Sequence, residues 1–136
     1  MAEIRIWPST KIQDARITDL RIPLRDDGYY WWLYRYFQAA RLPPWRHELI
    51  DLYGDSEISG YQLKRFHDEL LEARFDASQR PEQWSVRVGW QSEEMAESTE
   101  RRATVSRTEL LQLLEALISL TESAMQLNIP ILCEGD

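Results

Sequence analysis

A single cysteine in 136 residues, Cys133, leaves nothing to pair with inside the chain. That excludes a disulfide scaffold, and one lone thiol in an apolar run suits a reducing compartment and a buried, inert role. Glycine is scarce and scattered, five residues in all. Neither a glycine-rich phosphate loop nor a Gly-x-Ser-x-Gly nucleophile elbow occurs. Histidine is scarcer still, with only His47 and His67. A zinc site draws on three or four ligands. His47 with Asp51 four residues on, and His67 followed by Asp68 and Glu69, are the best groupings available, and they fall on different predicted helices. The expectation is no catalytic centre, no metal and no cofactor. No run reaches the roughly 20 apolar residues that span a bilayer. The opening MAEIRIWPST lacks the apolar stretch of a signal peptide. A cytoplasmic protein that does not engage membranes is therefore expected. Repeats, low-complexity tracts and a Pro/Gly linker are absent too, so the expectation is one domain over 1–136.

What the chain does have is aromatic residues and acid. Six Trp and six Tyr are many for this length, and 43% of residues are apolar, enough for a single core. The formal net charge is −7. Its placement is uneven: residues 1–50 carry eight basic and six acidic side chains, residues 51–136 eight and seventeen. A surface of that sign repels nucleic acid and anionic membranes and favours basic partners. Solubility alone is the alternative reason for such acidity.

Leu20, Ile22 and Leu24 alternate with polar neighbours, the period of a half-buried strand, and Pro23 assigns it to an edge. Ile4 and Ile6 give a weaker hint of another strand. Asp26, Asp27 and Gly28 mark a turn. Tyr29 to Leu42 follows as a helix with Asp27 as N-cap and Tyr30, Leu33, Tyr34, Phe37 and Arg41 at helical spacing; a strand running into a helix is the rival reading. Pro43 and Pro44 end it, and a short helix is expected over Trp45 to Tyr53. Ser59 with Gln62 forms a candidate capping box for a helix to about Phe75, striped by Leu63, Phe66, Leu70 and Ala73. Trp84, Val86, Val88 and Trp90 alternate as a strand. With a second strand near Arg102 to Ser106 they make a hairpin with an acidic loop. Ser106 with Glu109 caps the longest helix, to about Leu127, and Asn128 ends it. Ile129 to Cys133 is a last short strand. The sum is α+β, a small antiparallel sheet packed against three to four helices.

Two surfaces are candidates for partner contact. Glu93, Glu94, Glu97 and Glu100 fall within eight residues, beside Trp90 and Met95. Their mutual repulsion keeps that segment solvated, and it could enter a basic groove or be a plain solvated loop. In the cluster YYWWLYRYF a helix cannot bury Tyr29, Tyr30, Trp31 and Trp32 in one direction. Trp31 and Trp32 beside Arg35 have the composition of a binding hot spot, against an aromatic core as the alternative. Asp55 and Glu57 complete the candidate contact set.

The run from HDELLEA (His67 to Ala73) through WSVRVGW and the acidic loop to SRTELLQLLEALISLTESAMQLNIPI and the chain end resembles the small immunity proteins of bacterial polymorphic-toxin and contact-dependent inhibition systems. The likeness covers residues 58–136 and lies in the order of elements. It implies a non-enzymatic partner: a monomer or homodimer that binds and neutralises one cognate toxin domain in the cytosol, a basic toxin such as a nuclease suiting the acidic loop. The other readings are a small enzyme or ligand-binding domain with an aromatic pocket over Tyr29 to Phe37, and an oligomerising adaptor.

Overall fold

The computed structural model describes residues 3–8, 22–41, 49–50, 55–88 and 101–134. In chain order they form β1 (Glu3–Pro8), β2 (Ile22–Arg25), α1 (Gly28–Ala39), β3 (Ser56–Ile58), α2 (Gly60–Ser78), β4 (Gln83–Arg87), β5 (Arg102–Ser106), α3 (Arg107–Leu127) and β6 (Ile131–Glu134). The class is α+β, as the residue pattern implies. The strands divide between two sheets where one was expected. Four strands run in the order β2-β1-β6-β3, and β4 pairs with β5 separately; every pairing is antiparallel.

β2 buries Ile22 and Leu24 and exposes Pro23 and Arg25, and it sits at the sheet edge that Pro23 demands. The weakly hinted Ile4–Ile6 segment is a full inner strand, with Ile4 opposite Leu24 and Ile6 opposite Cys133. β6 therefore lies between β1 and β3, and its buried Ile131 and Cys133 carry the core side. Burial pushes the Cys133 thiol up to about 12, against a weaker opposing hydrogen bond from Ser56.

α1 starts on Asp27, whose carboxylate accepts the N–H groups of Tyr29 and Tyr30 at 3.0 and 3.2 Å. Its buried side is wider than the spacing implied. Tyr30, Leu33 and Phe37 are buried as expected, but so are Trp32 and Tyr36, while Tyr34 and Arg41 are half-buried. The reason is tertiary: α2 covers one flank and the β4–β5 hairpin covers the other. The Tyr30 hydroxyl donates to the Ile50 carbonyl at 2.8 Å, so the ring is buried with its polar end satisfied.

α2 buries Leu63, Phe66, Leu70, Ala73 and Ala77, one turn beyond the expected end. The capping box does not form. Ser59 occupies the N-cap position without a side-chain bond, and the Gln62 amide donates instead to the Ala40 carbonyl, tying α2 to the end of α1. At α3 the cap does form, with Ser106 Oγ accepting from the Glu109 N–H at 3.4 Å. Asn128, left-handed at φ 55°, ends the helix; the N–H of Ile129 reaches the Ala124 carbonyl at 3.0 Å. The helix expected over Trp45 to Tyr53 falls mostly outside the described residues; Leu49 and Ile50, which are described, are buried but lie in a bend and not in a helix.

Gly28 is where α1 meets the hairpin. A Cβ there would lie 2.6 Å from Val105 Cγ1 and 3.3 Å from the Ala103 side chain. Gly28→Ala should destabilise by about 1–3 kcal/mol through overpacking, although alanine is the better helix former. Adding Val105→Ala should recover part of that loss, read as positive coupling in urea denaturation of both single variants and the double.

Candidate protein-binding surface

The hairpin is the element that carries the acid-rich segment. Gln83 pairs with Ser106 and Arg87 with Arg102, and the Val88 N–H donates to the Arg101 carbonyl at 2.8 Å. This register holds both ends of residues 89–100 side by side. Glu93, Glu94, Glu97, Glu100 and Trp90 lie outside the described residues. The described residues that bound them include exposed Arg87, Arg101 and Arg102. Arg102 bonds across the hairpin to Ser85, to its hydroxyl at 2.7 Å and its carbonyl at 3.2 Å.

One face of the hairpin rests on α1. Trp84 meets Trp32 edge to face, centroids 6.0 Å apart at 68°. Trp32 also packs on Tyr36 at 5.1 Å. Trp32, a candidate contact, is 6% exposed. It belongs to the core, because the hairpin covers the flank on which it stands. Trp31 is half-buried. Its indole N–H donates to Asp26 at 2.6 Å and its ring meets Tyr30 and Tyr34 at 5.2 and 5.3 Å. Asp55 and Glu57 are exposed beside and on the edge strand β3, in the other sheet. Neither lies on the element that carries Trp31.

Three polar features were not legible in the sequence. The Tyr36 hydroxyl donates to Asp76 at 2.6 Å and accepts from Arg35 at 2.7 Å. Burial, then the Asp76 bond, push Tyr36 up to about 12, with Arg35 opposing. The Tyr29 hydroxyl is inserted into the α3 cap: it accepts the Ser106 N–H at 3.1 Å and donates to Glu109. In a capping box the glutamate itself would take that N–H; here tyrosine stands between them. Burial and the Glu109 bond raise the Tyr29 pKa. The third is a set of three cation–π contacts, Arg35 over Trp32 and over Tyr36, and Arg80 over Trp84. Residues 40 apart in sequence make the first feature and 77 the second, so local pattern holds no trace of either.

Tyr30, Trp32, Leu33, Tyr36 and Phe37 are buried together in the core cluster, with Tyr30 and Phe37 ring centroids 6.0 Å apart. Tyr29 lines a cleft of about 200 Å³ with Pro23, Leu24, Arg25, Asp27, Glu109 and Leu113. A second cleft of about 310 Å³ lies between the start of α2 and the end of α3. His67 Nε2 stands 3.6 Å from Glu122. Among the described residues no group of three or more His, Cys, Asp or Glu could hold a metal ion, and no helix is long and apolar enough to cross a membrane. Comparison with family models, with curated proteins and with solved structures finds no match.

Two outcomes follow from the hydroxyls and the thiol. Tyr29→Phe removes the bridge between Ser106 and Glu109 and should cost about 1 kcal/mol in urea denaturation. For Cys133 and Tyr36 the folded pKa is raised from ordinary values of 9.0 and 10.0 to about 12. The folded state holds its protons where the unfolded chain releases them. Their contribution is complete below pH 9 and is lost as pH climbs toward 12. Thermal midpoints should fall over that window, and Tyr36→Phe should flatten the part above pH 10.

Proposed function

We propose that this chain is an immunity protein that binds one cognate bacterial toxin domain in the cytoplasm and neutralises it by contact alone. The observation that carries the reading is the hairpin. Its register holds the two ends of an acid-rich segment together, and the Trp32–Trp84 contact and the close approach at Gly28 fix it to the body of the fold. Four carboxylates within eight residues, joined to a fixed base, are suited to a basic surface, such as the nucleic-acid groove of a nuclease toxin. Electrostatic attraction then speeds encounter and rejects wrong partners, while aromatic contacts slow release. The order of elements over residues 58–136, which resembles that of small immunity proteins, supports the same reading.

Co-expression with the toxin encoded directly upstream should restore growth to cells that the toxin otherwise arrests, and the two chains should co-purify. Replacing Glu93, Glu94, Glu97 and Glu100 together with Lys should leave the unfolding midpoint almost unchanged, the outcome expected where charges act on a partner and not on the fold. It should slow association by about 10-fold or more at low salt and abolish its salt dependence. Unchanged association would remove the segment from the interface. Failure of the wild-type chain to bind or protect would end the immunity reading.

A further inference from the structure

Arg74 pairs with Glu115 at 3.0 Å and Arg65 with Glu69 at 3.9 Å, and Arg107 donates to the Arg80 carbonyl at 2.8 Å. Arg35 and Arg80 differ from these. Among the described residues neither has a carboxylate within ion-pair distance, in a chain with 23 acidic residues. Each is held by aromatic faces instead. The Arg35 guanidinium carbon stands 4.8 Å from the Tyr36 centroid and 5.5 Å from that of Trp32, and Arg80 stands 5.7 Å from Trp84. The Trp32–Trp84 contact joins the two halves into one strip contributed by α1, the turn after α2 and β4.

The hydrogen bonding of this strip is lopsided. Arg35 gives one N–H to Tyr36, whose own proton goes to Asp76. The other guanidinium donors of Arg35 and all those of Arg80 have no acceptor among the described residues. The indole N–H groups of Trp32 and Trp84 are buried and lack one as well. Asp76, the nearest carboxylate in this network, is occupied by tyrosine. A guanidinium stacked on a ring has already lost most of its rotamer freedom and part of its hydration. It therefore offers a planar fork to a carboxylate at reduced entropic cost.

We propose that this strip is a carboxylate-recognition surface, on which Arg35 and Arg80 take Glu or Asp side chains from an acidic segment of a partner protein. Trp32, Tyr36 and Trp84 are the positioning residues, and Asp76 keeps the Tyr36 hydroxyl turned to accept from Arg35. The site is opposite in sign to the acidic segment and does not depend on the immunity reading. It commits the chain to a partner that displays carboxylates.

The test follows the indole N–H resonances of Trp32 and Trp84, assigned with Trp32→Phe and Trp84→Phe, during titration of the full-length protein. A tetraglutamate peptide should shift both saturably, and tetralysine should not. Arg35→Gln combined with Arg80→Gln should weaken that binding at least about tenfold. Arg35→Lys, which keeps the charge and loses the planar fork, should fall between. If the double variant unfolds, Arg80→Gln alone serves, since that side chain makes only the ring contact. Three results would overturn the proposal: no saturable shift with tetraglutamate, equal binding by the glutamine variants, or binding of inorganic phosphate with none of the peptide.

Discussion

A helix whose apolar and aromatic residues occupy more than half its circumference cannot be satisfied by one neighbour. At about 100° per residue, Gly28, Trp32, Tyr36, Leu33, Phe37 and Tyr30 sweep an arc too wide for a single packed face. α2 covers one flank of α1, where Phe37 meets Phe66 at 5.9 Å, and the hairpin covers the other through Trp84 and Val105. The division of the strands into two sheets follows from this. β4 and β5 serve α1, while the four-stranded sheet packs on α3 through β1. The absence of a side chain at Gly28 lets the start of the helix approach β5 closely enough to close that contact.

The second constraint is polar. Burying tyrosine rings brings hydroxyls into places where an unmade hydrogen bond is costly. Tyr30, Tyr36 and Tyr29 each resolve this differently, with a backbone carbonyl, with a carboxylate and arginine, and with a helix cap. In every case at least one partner comes from another element: the Ile50 segment for Tyr30, α2 for Tyr36, and the β5–α3 junction for Tyr29. The hydroxyls therefore orient α1 as well as satisfying themselves. Apolar packing alone would leave its rotation loosely determined.

Most of the elements were legible because their signals are local. Asp27 two residues before Tyr29, Ser106 three before Glu109, Asn128 before Pro130, and the alternation around Pro23 each have a mechanism contained within a few residues. Legibility failed where tertiary demand overrode a local option. Ser59 and Gln62 have the spacing of a capping box, yet Gln62 bonds to Ala40 because the end of α1 lies beside the start of α2. Ile4 and Ile6 were too few to declare a strand; pairing on both sides makes it one. Trp32 reads from sequence as core or contact, with core favoured, and its burial depends on a hairpin distant in sequence. Of the surfaces, the acidic segment is plain in composition, whereas the arginine strip exists only once α1, α2 and β4 meet.

A net charge of −7 does not forbid an anion-binding strip. Exposed charges farther apart than the Debye length, roughly 10 Å at 0.1 M salt, are largely screened from one another. What an approaching carboxylate meets is local: two guanidinium groups backed by low-dielectric rings, where the attraction is less screened than in open water. Asp76 is the one acid described within this network, and its bond to the Tyr36 hydroxyl occupies part of its accepting capacity. A partner must therefore match the sign and the arrangement of the strip, whatever the sign of the total charge. Such matching gives specificity that total charge cannot, because a partner with the right net charge but the wrong arrangement meets like charges at one patch.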